Sequence, residues 1–168
     1  KRMPKIIGES LASHRELTRA RLFEALGSLM GEQSFESITM SQIAERAGVG
    51  RTAVYNHFAD KEVLLLAYMR EVTGEFARVL TQRLEAEPDP LMRLRIYIRS
   101  HLQMIGRYHV KAGMGLRRHM SGQGASHLHD HAGVVGEVLI GILDEAMERG
   151  LIAQQNTLGA VHLIHATL

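Results

Sequence analysis

Cysteine is absent from this chain of 168 residues, which excludes disulfides and thiolate metal sites. Tryptophan is absent too, and prolines number only 3. Aromatic residues make up 5% of the chain, so a Pro-rich linker or an all-β sandwich is a poor fit. No apolar run approaches the roughly 18 residues of a membrane span, and no signal peptide is visible. No membrane partner is expected, and cytoplasmic residence fits. A strong charge imbalance is also missing. The formal net charge is +2, and it lies in the first third, where Lys1 to Lys61 hold the small basic excess. A solvated surface explains that excess as readily as nucleic acid does. Finally, there is no HExxH motif, no phosphate loop and no Ser-His-Asp spacing. An all-helical enzyme therefore has no motif behind it, and no cofactor is expected.

What is present is helical periodicity, which predicts an all-α chain. Leu22, Leu26 and Leu29 recur at helical spacing within Leu17 to Met30. GEQSFES then breaks the helix. Thr39 stands three residues before Gln42, a capping box opening a helix of about two turns with Ile43, Ala44 and Ala47 on one face. Gly48 suits the left-handed position that closes it. Arg51 to Phe58 follows, and Asp60 can cap a long helix from Lys61 to about Glu85, with Val63, Leu64, Ala67, Val72, Phe76 and Leu80 along one side. EPDP ends that helix and starts another to about His109, with a stripe of Leu94, Ile98, Leu102 and Ile105. Lys111 to Ser126 reads as a short helix plus loop. Val134 to Arg149 is helical with Val135, Val138, Leu139, Ile142 and Ala146 inward, and a last helix begins near Thr157. The chain starts without Met and stops inside an apolar periodic stretch, Leu158 to Leu168, so it is read as incomplete at the C-terminus.

Two short helices joined by a glycine turn, after a longer first helix, form a helix-turn-helix whose second helix fits a DNA major groove. At 100° per residue, Val54 and Phe58 fall together and are expected to lock onto Leu22, Leu26, Phe35 and Ile43. Thr52 and Asn56 fall opposite, with Arg51 and Tyr55 flanking them. A solvated helix surface or a protein-interaction bundle remains the competing reading, but the latter leaves the polar face unexplained.

Leu17 to Leu65, ending in QIAERAGVGRTAVYNHFADKEVLL, resembles the N-terminal domain of the TetR family of bacterial transcriptional regulators. The match rests on the T-x-x-x-I-A-x-x-A-G-V core, the Tyr55–Phe58 spacing and Lys61-Glu62 at the start of the fourth helix. The resemblance implies a three-helix, homeodomain-like DNA-binding domain over 1–60, with a basic arm over 1–13 read as a plain disordered terminus. It implies a helical ligand-binding and dimerisation domain over 61–168. Arg51 and Thr52 would meet base edges, Tyr55 and His57 phosphates, and Asn56 either one. Thr39, Ser41 and Lys61 would meet the backbone flanks. Gly50, Ala53 and Ser34 depart from the residues common in the family, so operator contacts would differ. The implied partners are a double-stranded DNA operator, a small, mainly apolar effector that releases a repressor, and a second copy of the chain in a homodimer.

Several residues are candidates for the effector site. Met69, Met92, Met104, Met114 and Met120 are flexible apolar groups suited to an irregular cavity or to ordinary core filling. Tyr97, His101, Tyr108 and His119 would add polar groups. The four arginines Arg93, Arg95, Arg99 and Arg107 read as a solvated face. SHLHDH, from Ser126 to His131, places His127 and His131 at i, i+4, a spacing that can chelate a metal. A metal-responsive regulator is thus the second reading. Its bland counterpart is a helix start capped by Ser126 with exposed histidines. His162 and His165 are assigned to the dimer surface.

Overall fold

The structure is a computed structural model that describes the backbone of residues 5–108 and 122–167, and the side chains of residues 11–106, 133 and 135–167. Among the described residues there are helices and turns but no strand. The order is α1 (Lys5–Glu32), a 3-10 turn (Phe35–Ser37), α2 (Met40–Ala47), α3 (Arg51–His57), α4 (Lys61–Glu85), α5 (Pro90–Tyr108), α6 (Gly122–Glu148) and α7 (Thr157–Thr167). The chain divides into two compact units, Lys1–Tyr68 and Met69–Leu168.

The N-terminal unit is built around α1, α2 and α3. Leu22 and Leu26 from α1, Ile43 from α2 and Val54 from α3 are fully buried together. Leu64, Leu65 and Tyr68 of α4 are buried as well, so the unit runs eight residues further than the boundary expected at 60/61. The reason is physical: the first turns of α4 carry apolar groups that unit needs. Val63, expected on the same side, is 46% exposed because it falls on the opposite flank of that turn. The segment expected as a loose basic arm is helical from Lys5 onward. No proline follows Pro4 before residue 88, so nothing stops α1 from extending toward the N-terminus.

The second unit packs the C-terminal part of α4, α5, α6 and α7 around Phe76, Leu80, Tyr97, Leu139, Ile142 and Val161. Its helix ends are closed by short-range signals. Asp89 Oδ2 accepts from the Met92 amide (3.2 Å) ahead of α5, which has Pro90 at its first position. Gly150 closes α6 at φ +67°, and Asn156 Oδ1 accepts from the Gly159 amide (2.9 Å) to open α7. The periodic stripe expected on α5 is rotated: Leu102 is 54% exposed, whereas Tyr97 and Ser100 are buried. The expected loop ending at Ser126 is also revised from Gly122 on. Gly122, Gly124 and Ser126 lie inside α6, so Ser126 is not its cap. Glycine costs a helix only about 1 kcal/mol, and no proline interrupts residues 122–148.

Candidate nucleic-acid interface

The helix-turn-helix is closed by three local devices. Thr39 Oγ1 accepts from the Gln42 amide (3.2 Å), and Gln42 Oε1 accepts from the Thr39 amide (2.8 Å), a complete capping box. Gly48 sits at φ +63°, a left-handed conformation that a Cβ would strain, and its amide donates to Ala44 O and Glu45 O. Asp60 Oδ1 then accepts from the amides of Glu62 and Val63, both at 2.9 Å, and so opens α4.

These turns fix the orientation of α3. Val54 is 0% and Phe58 3% exposed, and the Phe58 ring lies 5.9 Å from that of Phe23. Phe35, expected in the same cluster, is only half-buried and instead faces the ammonium of Lys61 at 4.9 Å. With Val54 and Phe58 inward, Arg51, Thr52, Tyr55 and Asn56 are all exposed. Tyr55 shows half of its surface. His57 is half-buried. Burial, and then the charges of Arg15, Arg19 and His14, hold its imidazole below the usual histidine range. It is therefore a neutral N–H donor at pH 7, suited to a phosphate oxygen.

On the flank formed by α2, Thr39 is exposed and Ser41 half-buried. The Thr39 hydroxyl is already committed to the capping box. Lys61 departs further from the expected phosphate contact. Its Nζ donates to the carbonyls of Phe35 (3.1 Å), Glu36 (2.8 Å) and Ile38 (3.0 Å). Sequence reasoning missed Arg19, whose guanidinium stacks over Phe23 (5.1 Å) and Phe58 (5.3 Å). Together with Arg15 it gives the α1 side of α3 a positive field. The i, i+4 spacing of Arg15 and Arg19, with Phe23 four residues on, is the signal that would have found it.

A profile described as "Bacterial regulatory proteins, tetR family" matches residues 22–68, the segment that builds this interface. Over that segment the chain is similar to the DNA-binding domain of the TetR family. The HTH-type transcriptional regulator BetI of Burkholderia ambifaria is 34% identical over 97 residues, covering 57% of this chain and 47% of that protein. The chain thus spans about half the length of the curated relatives it matches. Among solved structures, AibR in complex with isovaleryl coenzyme A and operator DNA is similar at a TM-score of 0.77 and 19% identity, over 88% of this chain and 81% of that one. The regulator FadR from Bacillus subtilis in complex with stearoyl-CoA is similar at 0.70 and 21%, again over 88% and 81%. At such identities these two likenesses speak to the fold alone.

Toward the C-terminal part of the chain the expected effector residues scatter. Met69 is buried in α4. Tyr97 is fully buried, with its hydroxyl 2.7 Å from His165 Nε2 and 3.2 Å from Val135 O, so it is a bonded core residue. His165 is therefore turned inward and is not part of a free surface, whereas His162 is exposed. His101 is half-buried, edge-on to Phe76 at 4.6 Å, with Nδ1 3.3 Å from Tyr97 O. Met104 lines a cleft of about 90 Å³ between α4 and α5, together with Phe76, Arg83, Ser100 and Gln103. Arg93, expected on a solvated face, is ion-paired with Glu145 at 2.9 Å because α6 packs beside α5. The backbone of Tyr108 ends α5, but its side chain lies outside the described residues, as do Met114, His119 and Met120 entirely. The backbone at His127 and His131 is helical, which preserves their shared face, and their side chains too lie outside the described residues. Among the described residues no group of three metal-ligating side chains converges, and no helix is long and apolar enough to cross a membrane.

Proposed function

We propose that this protein is a one-component transcriptional repressor. It binds a palindromic operator as a homodimer, and a small, mainly apolar ligand in the second unit releases it. One observation carries the reading. Val54 and Phe58 anchor α3 while Arg51, Thr52, Tyr55 and Asn56 stand outward, a set of side chains that meets base edges and phosphates. In this role Arg51 pairs with guanine O6 and N7. Thr52 and Asn56 read neighbouring edges, and Tyr55 and His57 donate to phosphates.

The dimer reading is supported by α7, where Leu158 is 61% and Leu163 71% exposed while Val161 is buried. Family resemblance supplies the switch: DNA requires two recognition helices about one helical turn, or 34 Å, apart, so a small change of spacing ends binding. Two structural neighbours described with acyl-coenzyme A make such thioesters a sensible first effector panel.

The test is selection from a randomised DNA duplex pool, followed by fluorescence anisotropy with the selected sequence. Enrichment of a palindrome, and its release by one class of acyl thioester, is the expected result. No enrichment over a random duplex would reject the reading.

A further inference from the structure

We propose that Lys61 is a positioning residue that locks the α1–α2 turn, and that it does not bind a DNA phosphate; the inference rests on the DNA-binding reading above. A lysine ammonium has three N–H donors and no more. Those of Lys61 meet the carbonyl oxygens of Phe35, Glu36 and Ile38 at 3.1, 2.8 and 3.0 Å. The face of the Phe35 ring covers Nζ at 4.9 Å. Every donor has an acceptor inside the protein, so a phosphate oxygen must break one of these bonds to gain one.

The acceptors explain why a cation belongs there. Phe35–Ser37 is a 3-10 turn, and its carbonyls converge at its C-terminal end, where partial negative charge collects. Ile38 is 1% exposed, so its carbonyl has little access to water and needs a partner from the protein. The lysine on the first turn of α4 supplies it.

The lock bears on DNA reading through what comes next in the chain. Ile38 is followed by Thr39, the cap of α2, and two residues later by Ser41. The other end of α2 is held by Arg46, whose fork meets Glu32 at 2.7 and 2.8 Å and Ser28 at 2.6 Å on α1. The Arg46 fork is exposed, and such pairs contribute little to stability. Lys61 is half-buried and holds backbone, so it sets where α2 starts.

The test compares wild type with Lys61→Met, which keeps the stem and removes the charge. Binding is measured on a random-sequence duplex of roughly 30 base pairs across a salt series. The variant is expected to melt several degrees lower and to bind more weakly, with an unchanged slope of log K against log salt. A phosphate contact would instead reduce that slope by about 0.9, with melting unaltered, and that result overturns the proposal. Should the variant not fold, the wild-type ammonium resonance decides. A Lys61 ¹⁵N signal protected from exchange in free protein and unmoved by duplex supports the lock. A signal that becomes protected only on adding DNA overturns it. Wild type that binds no duplex at all would reject the DNA-binding reading, while melting and ammonium protection in the free protein still judge the lock.

Discussion

The Tyr97 hydroxyl lies 2.7 Å from Nε2 of His165, although the two residues are 68 positions apart. The hydroxyl has one proton and two partners, the second being Val135 O at 3.2 Å. Both are satisfied when the hydroxyl donates to the carbonyl and accepts from Nε2–H of a neutral imidazole. This single group therefore ties α5, α6 and α7 together inside the second unit.

Tyr97→Phe keeps the ring and removes the tie. The group that loses most is the His165 N–H, which is left half-buried without its acceptor. The expected cost is about 1–2 kcal/mol, read as a lower midpoint in urea unfolding with an unchanged slope. Unaltered stability would show that the pair contributes nothing.

Acid should weaken the fold through the same histidine. Burial, and then the neighbouring His162 charge, hold His165 below its ordinary value of 6.5. The unfolded chain therefore takes up a proton more readily than the folded one once pH falls below about 6.5, so stability drops as pH falls. His57 is lowered in the same direction, with burial as the first cause, and adds to the trend. Melting temperatures at pH 7.5 and 5.5 are expected to differ, with the lower value in acid, and the gap should narrow in His165→Gln. A flat profile between those values would refute the assignment.

Two helical glycines make opposite predictions. A Cβ on Gly27 would stand 2.8 Å from the hydroxyl oxygen of the buried Tyr68, so Gly27→Ala forces that ring to move. A Cβ on Gly74, in the interior of α4, would meet nothing within 4 Å. Gly74→Ala should thus stabilise by up to about 1 kcal/mol through helix propensity, while Gly27→Ala should forfeit that gain and lower the melting point. Parallel thermal melts of the two variants check both signs.

Arg51→Ala is expected to lose about 1–3 kcal/mol on the selected operator and far less on random DNA, because an exposed arginine opening α3 would read a base edge. Equal losses on both DNAs would move Arg51 from base reading to phosphate binding.

Much of the N-terminal unit was legible in the sequence because its signals are local. The Thr39–Gln42 box, Gly48 and the Val54–Phe58 spacing each span at most five residues, and each reappears in the structure. The carbonyl partners of Lys61 were not legible because they lie some 23 to 26 residues earlier, and their convergence depends on a 3-10 turn that carries no strong sequence signature. The bond between Tyr97 and His165 is hidden in the sequence for a similar reason. Each is polar on a helix of mixed periodicity, and only tertiary packing shows that they satisfy one another. On α5 the apolar stripe misled by a rotation, since a buried tyrosine and serine outrank the exposed Leu102. The N-terminal extent of α6 was hidden by glycines whose individual cost a long helix absorbs.

The brevity of α3 has a consequence for the length of message it can read. At seven residues it rises only about 10 Å, or roughly three steps of duplex at 3.4 Å each. A three-letter word recurs by chance about every 64 positions in a random genome. One such reader marks thousands of places and therefore none in particular. A unique genomic address demands that several short words be read at fixed separation, and rarity then grows as the product of the words.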